Sequence, residues 1–177
     1  AAEALSALTP EEQSRVELAL IGGLGSGNGP YSDYSQRVAR QFAELNLERF
    51  QNLGVLTHEA TLAHLGGADL LIFPSVFEPL GLVLIEAMRA GCCILASNAA
   101  GPSDVVKRPW GRIVDFNDPH QRAQRLTEAL QSFLHTDMSV LAEWSRAART
   151  AGASYRWRDC AAVHLAALRA GPPKHAE

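Results

Sequence analysis

The stretch Phe77-Glu78-Pro79-Leu80-Gly81-Leu82-Val83-Leu84-Ile85-Glu86-Ala87-Met88, preceded by Ala68-Asp69-Leu70-Leu71-Ile72-Phe73-Pro74-Ser75, decides the fold. The earlier segment is a short, continuously apolar run stopped by Pro74, the pattern of a strand buried on both faces of a parallel sheet. After a loop of Val76 and Phe77 the second segment reads as a helix from Leu80 to Ala90. Pro79 suits a first helical turn because its missing N–H would have had no partner there, and Glu78 sits where the dipole favours negative charge. Gly81 gives a ligand access to the backbone. Glu86 then lies about 12 Å along the axis from Glu78, at roughly 1.5 Å per residue.

This spacing has a chemical logic. Free N–H groups in a first turn are a ready site for a phosphate or diphosphate. A carboxylate at the helix mouth and another two turns in can hold hydroxyl-bearing groups on either side of it, and a nucleotide-sugar has that shape. Dipole preference alone also explains Glu78, and Glu86 can be read as a solvated helix residue. Against that, Glu86 stands between Leu82-Val83-Leu84-Ile85 and Ala87-Met88, where a carboxylate needs a partner. The residues alone leave both readings open.

Glu78 to Glu86 is a Glu-x7-Glu motif, and its surroundings closely resemble the retaining, GT-B-fold glycosyltransferases called group 1 or family 4. The resemblance runs in order through Ala68-Asp69, Pro74-Ser75, Glu-Pro-Leu-Gly-Leu, Glu86-Ala87-Met88 and Ala90-Gly91. It continues through Ala96-Ser97-Asn98-Ala99-Ala100-Gly101-Pro102-Ser103-Asp104-Val105-Val106, Gly111-Arg112-Ile113-Val114 and Asp118-Pro119. It implies a catalytic role for Glu78 beside the transferred sugar, ribose binding by Glu86, and contact of the Leu80, Gly81 and Leu82 amides with sugar and diphosphate. Leu56 and Thr57 would lie along the nucleobase, and the loop beginning at Gly22 and Gly23 on the phosphate side. Where family members often have Phe the chain has Leu80, and where they often have Gly it has Ala100, which bears on fine positioning.

Strand-like and amphipathic helical runs alternate elsewhere, the signature of an α/β, Rossmann-like parallel sheet flanked by helices, here the C-terminal half of a GT-B fold. Strands are expected at Val16 to Ile21, Gln51 to Leu56, Leu70 to Phe73, Cys92 to Ser97 and Arg112 to Val114. Helices are expected over Gln36 to Leu45 and Glu59 to Leu65, the latter capped by Thr57. Further helices are expected over Gln121 to Leu134, Val140 to Thr150 and Trp157 to Ala170. Tyr155-Arg156-Trp157 is similar to the aromatic start of a late helix in the family, with packing as its role.

At 177 residues and 47% hydrophobic content the chain fits one domain with a sizeable core. That domain is expected over residues 1–170, with 171–177 a disordered tail. A net charge of −3 with scattered arginines lacks the basic footprint of nucleic-acid binding. No run approaches the roughly 18 apolar residues of a membrane span, and no signal-peptide pattern opens the chain. The expected setting is cytoplasmic, membrane-peripheral as part of a full enzyme. Cys92 and Cys93, adjacent on a strand, are poorly placed to pair with each other.

Other constellations fall away. Gly22-Gly23-Leu24-Gly25-Ser26-Gly27-Asn28-Gly29-Pro30 follows a strand but spells neither G-x-G-x-x-G nor a Walker loop, since the only lysines are Lys107 and Lys174. Ser26 lacks the flanking glycines of a nucleophile elbow. His58 and His64 lack the spacing of a helical zinc pair, so no metal and no cofactor are expected.

The resemblance also defines a gap. Family members are similar in using an Arg and a Lys at the start of this domain to neutralise the diphosphate, whereas here no basic residue precedes Arg15. The chain opens on Ala1-Ala2-Glu3-Ala4-Leu5, as though the family's domain were joined after its first strand. The expected partners are therefore a nucleotide-diphosphate sugar donor and an acceptor domain of the same parent chain. The isolated domain would bind donor and transfer nothing. The competing reading is a non-catalytic nucleotide- or protein-binding module of the same fold.

Overall fold

A computed structural model describes residues 1–22, 32–45 and 47–170. Chain order is α1 (Ala2–Ser6), α2 (Pro10–Ser14), β1 (Glu17–Ile21), α3 (Ser32–Ala43), β2 (Arg49–Gly54), α4 (His58–Gly66), β3 (Leu70–Phe73) and α5 (Leu82–Ala90). It continues with β4 (Cys93–Ser97), α6 (Ala100–Val105), β5 (Gly111–Val114), α7 (Arg122–Leu134), α8 (Met138–Ser154) and α9 (Trp157–Ala170).

All strand pairs among the described residues are parallel. They form two ladders, β1 with β2 and β3-β4-β5 with β4 in the centre. Leu70 to Phe73 pair in register with Cys93 to Ala96, and Ile94 to Ser97 with Gly111 to Val114. The alternation of side chains along a strand explains the core. Leu70, Ile72 and Leu95 face a cluster with Leu5, Phe42, Val114, Leu126 and Leu130. Leu71, Phe73, Ile94 and Ala96 face a second cluster with Leu84, Met88, Val105 and Trp110. Both faces of β3 and β4 are thus covered, and every residue of β4 is buried, as a continuous apolar run predicts.

The structure corrects several boundaries. Helix α5 begins at Leu82, not Leu80, because Gly81 adopts a left-handed conformation (φ 76°, ψ 68°) that no helix continues through. Pro79 therefore belongs to a turn ahead of the helix, and the helical rise does not apply between Glu78 and Gly81. Gly81 is itself buried, so what requires glycine there is the backbone angle. The stretch after β4 contains the short helix α6. Trp157 is 76% exposed and Tyr155 38%, so the packing role expected of that segment is not met within the described residues. Val163, Leu165 and Leu168 of α9 are exposed as well. The expected tail, 171–177, lies outside the described residues, as does Gly23.

Candidate functional site

Parallel strands bring their carboxyl ends to one side, where crevices for ligands open in α/β sheets. Among the described residues, those singled out by sequence follow the carboxyl ends of β2 and β3. At the ends of β1 and β2, the Gly22 N–H donates to the Gly54 carbonyl at 2.8 Å, which sets the strand preceding Gly23 beside the strand preceding Leu56. Thr57 caps α4: its Oγ1 accepts from the Ala60 N–H at 3.2 Å. That cap makes His58 the first residue of α4. Its Nδ1 lies 3.7 Å from Oε1 of Glu86 on α5.

Glu86 projects from the partly covered side of α5. Leu84, Ala87 and Met88 have no exposed surface, whereas the Glu86 side chain keeps 28% of its own. The expectation of a carboxylate among buried neighbours is met only on one face of α5, at Leu84, Ala87 and Met88, and His58 is a neighbour that Glu86 finds among the described residues. Sequence reasoning considered His58 only as a metal ligand. The signal that could have placed it was Thr57, whose cap fixes the start of α4.

Glu78 is half-buried, and its Oε1 accepts two hydrogen bonds, from the Leu80 N–H at 3.2 Å and the Gly81 N–H at 2.8 Å. Two of the amides assigned to sugar and diphosphate are thus bound by Glu78 in this structure. The helix proper has no side-chain cap at Gly81. Its first N–H groups, beginning with Leu82, open without a capping side chain, while the Leu80 and Leu82 side chains stand 44% and 48% exposed. The Glu78 carbonyl in turn accepts from the Gly101 N–H at 3.1 Å, which ties the turn to α6.

The neighbouring strand ends close on themselves. The Ser97 hydroxyl donates to the Ser75 carbonyl across β4 and β3. Asn98 Nδ2 donates to Asp115 Oδ1 at 2.9 Å, and the Phe116 N–H donates to Asn98 Oδ1 at 2.9 Å. The Asn117 N–H, with help from Arg125 and Asn98, holds the Asp115 carboxyl below the usual range against the opposing pull of desolvation. Ionisable groups here serve one another. Two hollows of about 240 and 190 Å³ lie at the opposite, amino-terminal ends of β3 to β5, between the sheet and α7 and α8. They belong to the packing of those helices, on the side of the sheet away from Glu78 and Glu86.

Residues 1–150 match the sequence model of the family described as "Glycosyl transferases group 1". The chain belongs to that family. The group 1 chain is 33% identical over 164 residues to the D-inositol 3-phosphate glycosyltransferase of Thermobispora bispora, covering 92% of this chain and 36% of that one. It is 38% identical over 81 residues to a glycogen synthase of Mycobacterium tuberculosis, covering 46% of this chain and 19% of that one. Among solved structures it is similar to sucrose-phosphate synthase of Thermosynechococcus elongatus, at 25% identity and TM-score 0.69, over 96% of this chain and 43% of that one. A structure of Anabaena HepE in complex with UDP superposes with TM-score 0.72 at 21% identity, over 94% of this chain and 44% of that one, which speaks to the fold. The group 1 chain thus spans between about a fifth and about a third of the length of these two curated relatives. Among its described residues no helix is long and apolar enough to cross a membrane.

Proposed function

We propose that the chain is the donor-binding unit of a retaining glycosyltransferase, holding a nucleotide-diphosphate sugar at the carboxyl ends of its strands. The observation that carries this reading is Glu86. It is a carboxylate kept partly exposed on a helix whose Leu84, Ala87 and Met88 are fully buried, one turn beyond an N-terminus without a side-chain cap. A ribose diol is a fitting partner for such a carboxylate, since its hydroxyls donate to both oxygens. The opening N–H groups of α5, from Leu82 onward, suit the diphosphate. Leu56 and Thr57 flank the base. Glu78, anchored through Oε1, presents its other oxygen to the transferred sugar, with Leu80 and Gly81 shaping the turn beneath it. Gly23 belongs to the phosphate side in this reading. The nucleotide complexes known for Anabaena HepE, with UDP and with UDP-glucose, support a nucleotide-sugar as the donor class.

In the reaction the bond from the anomeric carbon to the diphosphate oxygen breaks and a bond to an acceptor hydroxyl oxygen forms on the same face, the hydroxyl proton passing to the departing diphosphate. Charge builds on the departing diphosphate, and amides aimed at it lower the barrier without a metal ion. In this proposal residues 1–170 form the donor unit, an acceptor domain comes from the same parent chain, and the unit alone transfers nothing.

The test is an NMR titration with UDP, GDP and ADP, each free and as a glucose or mannose conjugate, on wild type and Glu86→Ala. One nucleotide should shift the amides of Leu56, Gly81 and Glu86 and lose its effect in the variant. Silence with every ligand at millimolar concentration would favour the module that kept the fold without donor binding. Sugar transfer by the isolated chain at rates usual for enzymes would contradict the need for a separate acceptor domain.

A further inference from the structure

Gly101 lies in α6, a helix not assigned to any part of the donor site. Glycine is a weak helix former, so local preference does not call for it in this first turn. Its backbone has no positive φ that would require glycine. What requires it is space. A Cβ at position 101 would lie 2.5 Å from the Leu80 Cα, 2.5 Å from the Leu80 N and 2.5 Å from the Pro79 carbonyl oxygen. All three are backbone atoms, which cannot swing aside as a side-chain end does. The same residue donates its N–H to the Glu78 carbonyl at 3.1 Å.

Helix α6 cannot retreat from the added atom. Pro102 is fully buried, and Val105 and Val106 belong to the core cluster that includes Leu84, Met88 and Trp110. The turn is the softer partner: Pro79 and Leu80 are exposed, and among the described residues the Glu78 carboxylate and the Gly101 N–H tie it down. We infer that Gly101 is a positioning residue for the donor site, setting the Glu78–Gly81 turn by backbone contact so that the Glu78 carboxylate and the entry to α5 face the ligand in one geometry. Gly101 touches no substrate and acts through the turn. The functional half of this inference rests on the donor-binding reading above; the structural half does not.

The decisive measurement on wild type is amide hydrogen exchange. The Gly101, Leu80 and Gly81 amides should be protected together, within a few-fold of one another, because one opening of the turn exposes all three. Fast exchange at Gly101 beside slow exchange at Gly81 would overturn the inference, whatever any variant does. Gly101→Ala should then shift the amides of Glu78, Leu80, Gly81 and Leu82 and speed their exchange, leaving β1 to β2 unchanged. Its control is Gly66→Ala in α4, where a new Cβ meets nothing within 4 Å, and which should leave residues 78–82 untouched.

For ligand binding, Gly101→Ala should weaken UDP-glucose by about tenfold or more, the scale of losing hydrogen bonds to a charged group. Uridine monophosphate, held chiefly through its ribose by Glu86, should lose less than about twofold by the same conversion. Equal loss of both would mark general damage and contradict a positioning role. If wild type binds neither these compounds nor their GDP and ADP counterparts, the donor reading fails, while amide exchange still decides whether Gly101 sets the turn.

Discussion

Two helix entrances in this chain meet the same problem, first-turn N–H groups without partners, and solve it in opposite ways. At α2 the solution is closure. Thr9 Oγ1 accepts from the Glu12 N–H at 3.2 Å, Glu12 Oε2 accepts from the Thr9 N–H at 2.9 Å, and Pro10 removes one donor outright. Glu12 is only 5% exposed, and Gln131 of α7 adds a further hydrogen bond to the same carboxylate. At α5 the glutamate stands outside the helix, satisfies two amides of the turn before it, and leaves the helix mouth uncapped. A mouth closed by its own side chains holds the protein together, whereas the donor-binding proposal assigns the uncapped one at α5 to a ligand.

The comparison breaks most readily at Glu78. Glu78→Ala should weaken UDP-glucose about tenfold or more while moving the melting temperature little, and a calorimetric titration beside a thermal melt reads both. A variant that melts early and binds normally would make the two entrances alike. The converse experiment is Thr9→Ala, which should cost about 1 kcal/mol of stability, a melting shift of about 2–4 °C for a chain of this size, with nucleotide binding unchanged.

Acid separates the two entrances further. The Thr9 N–H, chiefly, keeps the Glu12 carboxyl below its ordinary range, with Gln131 and His135 adding to it against the cost of burial. The folded chain therefore keeps Glu12 ionised at a pH where the unfolded chain has already protonated it. That stabilisation is complete above the ordinary carboxylate pKa and is lost as pH falls through the lowered value. Replacing Glu12 by Gln should flatten the acid limb of stability against pH, measured by denaturant melts between about pH 6 and 2. The smallest effect belongs to His58→Ala. Its contact with Glu86 is 3.7 Å long and the imidazole is 67% exposed, so donor affinity should change by about twofold or less.

Much of this was legible in the sequence, for identifiable reasons. β3 was placed residue for residue, because Pro74 and an unbroken apolar run leave little choice. α9 was placed equally well by its spacing and is the surface helix expected, yet the packing role read for Tyr155 and Trp157 fails, since an aromatic pair does not say whether anything covers it. The start of α5 was misplaced by two residues. Pro79 carries a strong helix-entry signal, but the left-handed Gly81 overrides it. Within the candidate site, Glu78 and Glu86 stood out through their residue types and spacing. His58 and Gly101 did not, because their contacts with Glu86 and Leu80 span 28 and 21 positions and exist only in three dimensions.

Helix α5 is gripped at both ends by glycine contacts. Ahead of its start Gly101 meets the Pro79–Leu80 backbone, and near its end a Cβ on Gly152 of α8 would fall 2.6 Å from the Arg89 N. A carboxylate carried on a rod fixed at both ends is already stationary when a ligand arrives. Little motional freedom of α5 is then left to surrender, so under the donor-binding proposal capture at Glu86 should be enthalpic in character, with its entropic cost confined to the ligand and the Glu86 side chain.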